Sequence, residues 1–199
     1  TIRKRMSLSV CIYCASSNAI NSVYYQETEK LARLLAQNNV NVKFGGGSSG
    51  LMGKIADVYV EENNDNIVGI IPKFMCEEGW QHQQLKQLIV TETMHERKQK
   101  MIENVDAAIA LPGGIGTLEE VLEVLTWKQL GIFLKPILLV NINGYFDPLL
   151  IALEHAVSEN FMRKEHLQLF TIISSVENIL QDIQKNPTYD VSIRKIAQI

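Results

Sequence analysis

Residues 40–53 read VNVKFGGGSSGLMG: an apolar, β-branched run leads through a glycine-rich loop into the first turn of an apolar helix. Glycine allows positive φ angles and a close approach of the backbone to a neighbour. The helix N-terminus that follows offers unpaired N–H groups and the positive end of the helix dipole. A strand, a glycine loop and a helix in this order predict an α/β fold with an anion-binding site at the junction.

The same alternation of strands and helices extends in both directions from this loop. Short apolar runs predict strands at residues 8–13, 40–44, 67–71, 88–91, 107–111, 137–140 and 169–173, and helical spacing predicts helices at residues 22–37, 51–62, 92–103, 118–130, 148–159 and 176–184. Nearly continuous hydrophobic strands indicate burial on both faces, as in parallel sheets. We therefore predict a Rossmann-like α/β fold: a doubly wound, mostly parallel sheet with helices on both faces, in three layers.

Length and charge narrow the class of protein. A chain of 199 residues fits one domain, which we expect to span residues 1–199 with a mostly polar tail from about residue 186. A net charge of −3 gives no basic excess for nucleic acid, and no apolar run approaches the roughly 20 residues of a membrane span. The basic start lacks a signal-peptide cleavage pattern. We expect a cytoplasmic protein that binds neither nucleic acid nor membrane.

The cysteines and histidines predict no metal site. Cys11 and Cys14 form a CxxC, which is also found in zinc and redox sites, but no second ligand pair completes it. Side chains three apart on a strand point to opposite faces. The pair therefore reads as two small core residues.

The first glycine loop satisfies GxGxxG with Gly45, Gly47 and Gly50. A dinucleotide site also requires an acidic residue at the end of the next strand. That strand ends Ile70-Ile71-Pro72-Lys73, and the loop follows the second strand instead of the first. A tight strand–helix turn without a ligand would also explain these glycines.

A second glycine loop, PGGIGTLEE at residues 112–120, follows another predicted strand. Gly113, Gly114 and Gly116 would form a backbone cradle, and Thr117 would cap the helix and offer a hydroxyl to a phosphate. The two glutamates that follow point about 100° apart on a helix, so we expect only one of them to face a ligand. Helix capping alone would also explain a glutamate here.

A third segment, MHERKQK at residues 94–100, carries Arg97 and Lys98 at the carboxyl side of a predicted strand. These cations would suit a phosphate-bearing ligand, and arginine in particular binds carboxylates and phosphates with two hydrogen bonds. A solvated, charged helix turn is the simpler explanation, and we adopt it for Lys100.

Together these segments resemble the LOG ("Lonely Guy") family of cytokinin riboside 5′-monophosphate phosphoribohydrolases. The resemblance rests on PGGxGTxxE at 112–120 and MxxRK at 94–98, with GGGSSGLMG at 45–53 and CASS at 14–17 in support, and extends from about residue 8 to about residue 180. It implies a Rossmann-like homodimer that binds a nucleoside 5′-monophosphate. Such an enzyme hydrolyses the bond between N6-substituted adenine and ribose 5-phosphate without a metal or organic cofactor. Some relatives carry an older label of lysine decarboxylase, but no segment here resembles a pyridoxal-cofactor site.

The resemblance also implies roles for residues. Arg97 and Glu120 take the places of the catalytic pair. Glu120 would stabilise the oxocarbenium-like sugar and activate water, while Arg97 would lower the pKa of Glu120 and keep it ionised. The expected substrate-binding residues are Ser17, Gly46, Gly47, Ser48, Met94, Lys98, Gly113, Gly114, Gly116 and Thr117.

Three points stay open at this stage. The same residues would serve a general purine monophosphate nucleosidase acting on AMP, and a related glycine-loop fold carries the molybdenum cofactor without hydrolysis. Segment 74–86 departs most from the plant members and is expected near the base or the dimer contact, which leaves the base specificity open. The apolar helix at 118–130 is expected to contribute to a dimer contact.

Overall fold

The computed structural model describes residues 8–186 and 189–196. Within them, one sheet has seven strands in the order β4-β3-β2-β1-β5-β6-β7, and all neighbouring pairs are parallel. The strands are β1 Ser9–Tyr13, β2 Asn41–Phe44, β3 Ile67–Pro72, β4 Leu88–Thr91, β5 Ala107–Ala110, β6 Ile137–Val140 and β7 Thr171–Ile173. The order reverses at β1, which lies between β2 and β5, so ligands are expected beyond the carboxyl ends of these central strands.

Helices lie between the strands. They are α1 Ser22–Gln37, α2 Gly50–Glu61, α3 Lys73–Glu77, α4 Met94–Ile102, α5 Ile115–Gln129, α6 Asp147–Ser158 and α7 Ile179–Lys185, with short 3-10 turns at Ile142–Gly144, Lys164–Gln168, Val176–Asn178 and Val191–Ile196. No helix in the described ranges has the length and apolar character needed to cross a bilayer.

Two hydrophobic cores cover the two faces of the sheet. The first contains Leu35 of α1 and Ile55 of α2, and the second contains Met101 of α4 and Val121 of α5. Alternate residues of β1 enter opposite cores, because successive side chains of a strand point to opposite faces. The predicted α/β fold with three layers is confirmed, and the sheet is parallel throughout.

The two cysteines of the CxxC behave as this alternation predicts. Cys11 belongs to the second core and Cys14 to the first, and both are buried free thiols. Burial raises the pKa of the Cys11 thiol well above its usual range. The core interpretation is therefore confirmed for this pair.

Most predicted boundaries shift by one to three residues, and three differences from the sequence prediction matter most. The short helix α3 was missed, and α5 begins at Ile115 instead of residue 118, so its N-cap is Gly114 and not Thr117. The Leu118 N–H already bonds to the Gly114 carbonyl, which places the glycine-rich stretch inside the first turn despite its low helix propensity. The chain after residue 186 was expected to form a mostly polar tail. Instead, Ile193 is buried in the second core, while residues 187–188 and 197–199 lie outside the described part.

The side chain of Lys128 on α5 is a buried ionisable group on the same side of the sheet as the second core. It is 2% exposed, its Nζ donates to the Lys135 carbonyl at 2.9 Å, and it lies 4.6 Å from the centre of the Tyr189 ring. Desolvation lowers the pKa of Lys128 to about 8. The folded chain therefore binds this proton less tightly than the unfolded chain. The resulting cost to stability is full below pH 8 and fades as the pH rises towards 10.5.

We expect Lys128→Met to leave the free energy of unfolding at pH 7 unchanged or to raise it by about 1–2 kcal/mol, because a buried charge is replaced by an apolar side chain of similar length. Relative to wild type, the variant should also lose part of the rise in stability between pH 8 and pH 10. Urea unfolding at several pH values measures both effects, with the exposed Lys73→Met as control. If the free energy of unfolding of Lys128→Met rises between pH 8 and pH 10 as steeply as that of the wild type, Lys128 is not the group responsible for this rise.

Candidate active site

A cavity of about 570 Å³ opens at the carboxyl edge of the sheet, over the ends of β1, β2, β3 and β5. This volume lies within the range of small-molecule sites. Its polar lining comes from Ser16, Gly45, Gly47, Ser48, Ser49, Arg97, Gly114, Gly116, Thr117, Glu119 and Glu120. Among the described residues, no group of three or more histidine, cysteine, aspartate or glutamate side chains is placed to hold a metal ion.

The first glycine loop is fixed by hydrogen bonds within the protein. Gly50 has a φ of +62°, and a Cβ there would come within 2.7 Å of the backbone of residues 15–17. The Gly50 N–H donates to the Asn18 side chain, and the N–H groups of Leu51 and Met52 both donate to the Ala15 carbonyl. The N–H groups expected to bind an anion therefore already have partners, and this loop serves as a wall of the cavity.

The second glycine loop has a different arrangement. The Gly113 carbonyl accepts a hydrogen bond from the Tyr145 hydroxyl, and a Cβ at Gly113 would overlap Thr117. Gly114 and Gly116 face open space, where an added Cβ would meet no atom within 4 Å. The first four N–H groups at the start of a helix have no intrahelical partner. The N-terminus of α5 is therefore the better anion site of the two loops.

A buried ion pair joins α4 to α5 at the floor of the cavity. The Arg97 Nη1 lies 2.6 Å from the Glu120 Oε1, and the two side chains are 9% and 10% exposed. The Arg97 Nε donates to the Ile70 carbonyl at the end of β3 at 3.0 Å. Both residues border the cavity. The helices thus bring together two side chains that lie 23 positions apart in the chain.

The pKa of Glu120 corrects one expectation. We expected Arg97 to dominate and to lower this pKa, but burial outweighs the arginine and raises the pKa of Glu120 above its ordinary value. Desolvation disfavours the charged carboxylate, and the nearby guanidinium only partly compensates. Glu120 is therefore a carboxyl whose proton affinity is increased by its surroundings, as is common at catalytic sites.

Lys98 is buried and carries an ion-pair network of its own. Its Nζ lies 2.6 Å from the Glu119 Oε1 and 2.9 Å from the Glu123 Oε1. These carboxylates raise the pKa of Lys98. One of the two adjacent glutamates was expected to face the ligand, and both border the cavity. Only Glu120 is buried there.

The predicted site residues fall into two groups. Eight border the cavity: Gly47, Ser48, Met94, Arg97, Gly114, Gly116, Thr117 and Glu120. The other four are not among its lining residues: Ser17, Gly46, Lys98 and Gly113. At the end of β1 the lining residue is Ser16, whereas the Ser17 hydroxyl accepts a hydrogen bond from the Ala19 N–H.

One side of the cavity was anticipated only by the expectation that segment 74–86 lies near the base or the dimer contact. Four apolar side chains, which we call the apolar wall, lie at the end of β3 or after β3 and β4: Ile71, Met75, Trp80 and Met94. Only Met94 was predicted. Residues 78–82, which we call the strap, pair with the first glycine loop through a bridge between Gly47 and Gln81. The departure of segment 74–86 from the plant pattern was the only sequence signal for this wall.

Gly45 provides the space in which Arg97 lies. A Cβ at residue 45 would overlap the Arg97 guanidinium and lie 2.8 Å from the Met52 sulfur. Both groups are ends of flexible side chains, so Gly45→Ala should fold with an unchanged Tm but a displaced arginine. We expect turnover of the substrate proposed below to fall about a hundredfold, as for other small misplacements of catalytic groups. Gly114→Ala, which adds a Cβ in open space, is the control for folding; wild-type turnover in Gly45→Ala would contradict this expectation.

Comparison with known proteins identifies relatives of this chain. A family profile described as "Possible lysine decarboxylase" matches residues 52–183. A cytokinin riboside 5′-monophosphate phosphoribohydrolase of Arabidopsis thaliana is 37% identical over 189 residues, which cover 94% of this chain and 88% of that protein. The cytokinin riboside 5′-monophosphate phosphoribohydrolase LOG of Oryza sativa subsp. japonica is 35% identical, with coverage of 92% and 76%.

Solved structures share the fold at lower sequence identity. The molybdenum cofactor binding protein from Rippkaea orientalis superimposes with a TM-score of 0.67 at 20% identity, covering 90% of this chain and 97% of that one. The molybdenum cofactor carrier protein from Chlamydomonas reinhardtii gives a TM-score of 0.66 at 16% identity, with coverage of 90% and 97%. These two likenesses concern the fold alone. The profile match, together with identities of 35% and 37% along nearly the whole chain, shows that this protein belongs to the LOG family.

Proposed function

We propose that this protein is a nucleoside 5′-monophosphate phosphoribohydrolase, which cleaves the N-glycosidic bond of N6-substituted AMP to release the free base and ribose 5-phosphate. The observation that carries the proposal is the buried pair of Arg97 and Glu120, which borders a cavity beside an open helix N-terminus. The two relatives with 37% and 35% sequence identity are named as cytokinin riboside 5′-monophosphate phosphoribohydrolases. Their names support the same reaction here.

The phosphate binds at the N-terminus of α5 in this proposal. Gly114 and Gly116 leave room for it, the Thr117 hydroxyl borders the same space, and the helix dipole favours a dianion there. The first glycine loop acts as the opposite wall through Gly47 and Ser48, because the N–H groups at the start of α2 are already bonded to Ala15 and Asn18. Gly113 and Lys98 act indirectly: Gly113 accommodates Thr117, and Lys98 holds Glu119 at the cavity.

In this proposal, Glu120 is the residue that acts on the bond between the base and C1′. As the bond between the base and C1′ breaks, positive charge develops on the sugar, and the ionised carboxylate stabilises that charge. A water molecule adds to C1′ and transfers a proton to Glu120, while the departing base takes up a proton from solvent. Arg97 acts by holding Glu120 in place through the 2.6 Å contact and by opposing the rise in its pKa.

Release of free base tests the proposal directly. Purified protein is incubated with AMP and with N6-isopentenyl-AMP, and base and ribose 5-phosphate are followed by chromatography. Much faster release of isopentenyladenine supports the activity of a cytokinin-forming enzyme. Comparable release of both bases indicates a general purine nucleotide nucleosidase. Tight binding of a nucleotide with no base from either would reject hydrolysis and favour a carrier.

We also propose that the protein is a homodimer through the face of α4 and α5. A groove of about 770 Å³ between these helices is lined by Trp127, Phe133 and Ile132, which is 64% exposed. On the same helix α5 and just after it, Leu122 and Leu130 are 41% and 46% exposed. Apolar side chains grouped in this way mark protein contacts. Light scattering after gel filtration should give twice the monomer mass, and Ile132→Glu should give the monomer mass.

The three free thiols fit the reducing cytoplasm, which is the compartment we propose.

A further inference from the structure

Trp80, in the strap, has an ordered backbone but an uncovered side chain. Its carbonyl accepts hydrogen bonds from the N–H and the hydroxyl of Ser48, at 3.0 and 3.2 Å, and its own N–H donates to the Met75 carbonyl at 3.0 Å. Two residues later, the His82 N–H donates to the Gly46 carbonyl. The indole nevertheless remains 52% exposed at the cavity.

The rest of the strap is also tied to the body of the protein. The His82 Nε2 lies 2.9 Å from the Asp57 Oδ1 on α2, and Gln81 pairs with Gly47. The position of Trp80 relative to the first glycine loop is therefore fixed before any ligand arrives. A large aromatic side chain that is held in place but left uncovered suits a contact with a ligand, which would bury its apolar surface.

The cavity separates polar from apolar groups along the sheet. The α5 N-terminus and Glu120 lie on the β5 side, whereas the apolar wall follows β3 and β4 at the other end of the cavity. Arg97 spans the two sides, because it bonds to Glu120 and to the end of β3. A nucleotide with its phosphate at α5 and its C1′ at Glu120 would extend its base towards the apolar wall.

We propose that Trp80 determines base specificity by covering an apolar substituent on the exocyclic nitrogen of the adenine, together with Met75. This inference rests on the proposed function, since it assumes a nucleoside 5′-monophosphate in the cavity. The wall offers two flexible methionines, Met75 and Met94, which adapt to an irregular apolar group. The indole supplies a rigid surface on the outer side.

Trp80→Ala tests this role through the ratio of kcat/KM for N6-isopentenyl-AMP to kcat/KM for AMP. We expect this ratio to fall about tenfold, equivalent to about 1.4 kcal/mol, mainly through KM for the substituted nucleotide. Trp80→Phe should retain most of the ratio. Phe161→Ala removes an aromatic side chain that is 75% exposed and lies three residues beyond α6, and it should leave kcat/KM for both substrates unaffected. An unchanged ratio, or an equal loss on both nucleotides, would overturn the proposal.

A binding measurement separates this inference from the hydrolytic reaction. In a Trp127→Phe background, tryptophan emission comes from Trp80, because the chain has two tryptophans. We expect N6-isopentenyl-AMP to quench or shift this emission more strongly than AMP at equal occupancy. If no base is released by any variant, the hydrolase proposal fails, yet this fluorescence difference would still support the contact with Trp80. Equal or absent responses to the two nucleotides would refute it.

Discussion

Glu120→Gln is expected to lower kcat for nucleotide hydrolysis about a thousandfold, with little change in nucleotide affinity. Glutamine keeps the size of the side chain and can still accept a hydrogen bond from Arg97, but it carries no charge to stabilise the sugar cation. Removal of one electrostatic contact to a transition state typically costs a hundredfold to a thousandfold, and glutamine also removes the base that takes the proton of water.

Single-turnover base release and calorimetric binding of AMP measure the two parts of this prediction. Glu119→Gln is the matched control: it lies next in sequence and borders the same cavity, but its side chain is 50% exposed and paired with Lys98. We expect it to cost less than tenfold, because the Glu119 carboxylate is half exposed, so that solvent screens its pair with Lys98. A kcat for Glu120→Gln within tenfold of wild type would remove Glu120 from the mechanism.

Arg97→Met is expected to have the second largest effect, a loss of about a hundredfold in kcat at pH 7. Burial already raises the pKa of Glu120, and Arg97 is the first of the influences that oppose this rise. Without the arginine, this pKa rises further. The reaction needs the ionised carboxylate, so the acid limb of the pH–rate profile should move to higher pH, and the residual activity should increase with pH.

The free energy of unfolding should also report the effect of Arg97 on Glu120. For Arg97→Met, activity should increase as the pH rises, whereas stability should recover as the pH falls. A carboxyl whose pKa is raised by folding binds its proton more tightly in the folded chain, so acidification through that pKa favours the folded state. Arg97→Met should therefore be less stable than wild type at pH 7 and recover part of the difference at lower pH. Arg97→Lys, which keeps the charge, is the control. An acid limb that stays at its wild-type pH in Arg97→Met would show that Arg97 does not act through Glu120.

Much of the fold could be predicted, because strands and strand–helix junctions are marked by the pattern of apolar residues and glycines within short segments. Continuous apolar runs such as residues 107–111 reveal doubly buried parallel strands, and the glycine loops mark the strand–helix junctions. The start of α5 could not be predicted in this way. The glycines of residues 113–116 have low helix propensity, yet the helix begins among them, since the preceding loop is held by the Tyr145 hydroxyl and the Ala15 N–H from distant parts of the chain.

The sequence by itself determined the class of fold, the two glycine loops and the identity of Arg97 and Glu120 as candidates, because each is recorded in a short run of neighbouring residues. Only the tertiary structure decided which groups are available to a ligand. It bonded the first N–H groups of α2 to Ala15 and Asn18, and it placed Trp80 against Ser48. It also made burial outweigh Arg97 in setting the pKa of Glu120. Desolvation and hydrogen-bond partnership depend on residues far apart in the chain, which come together only when the sheet and its helices pack.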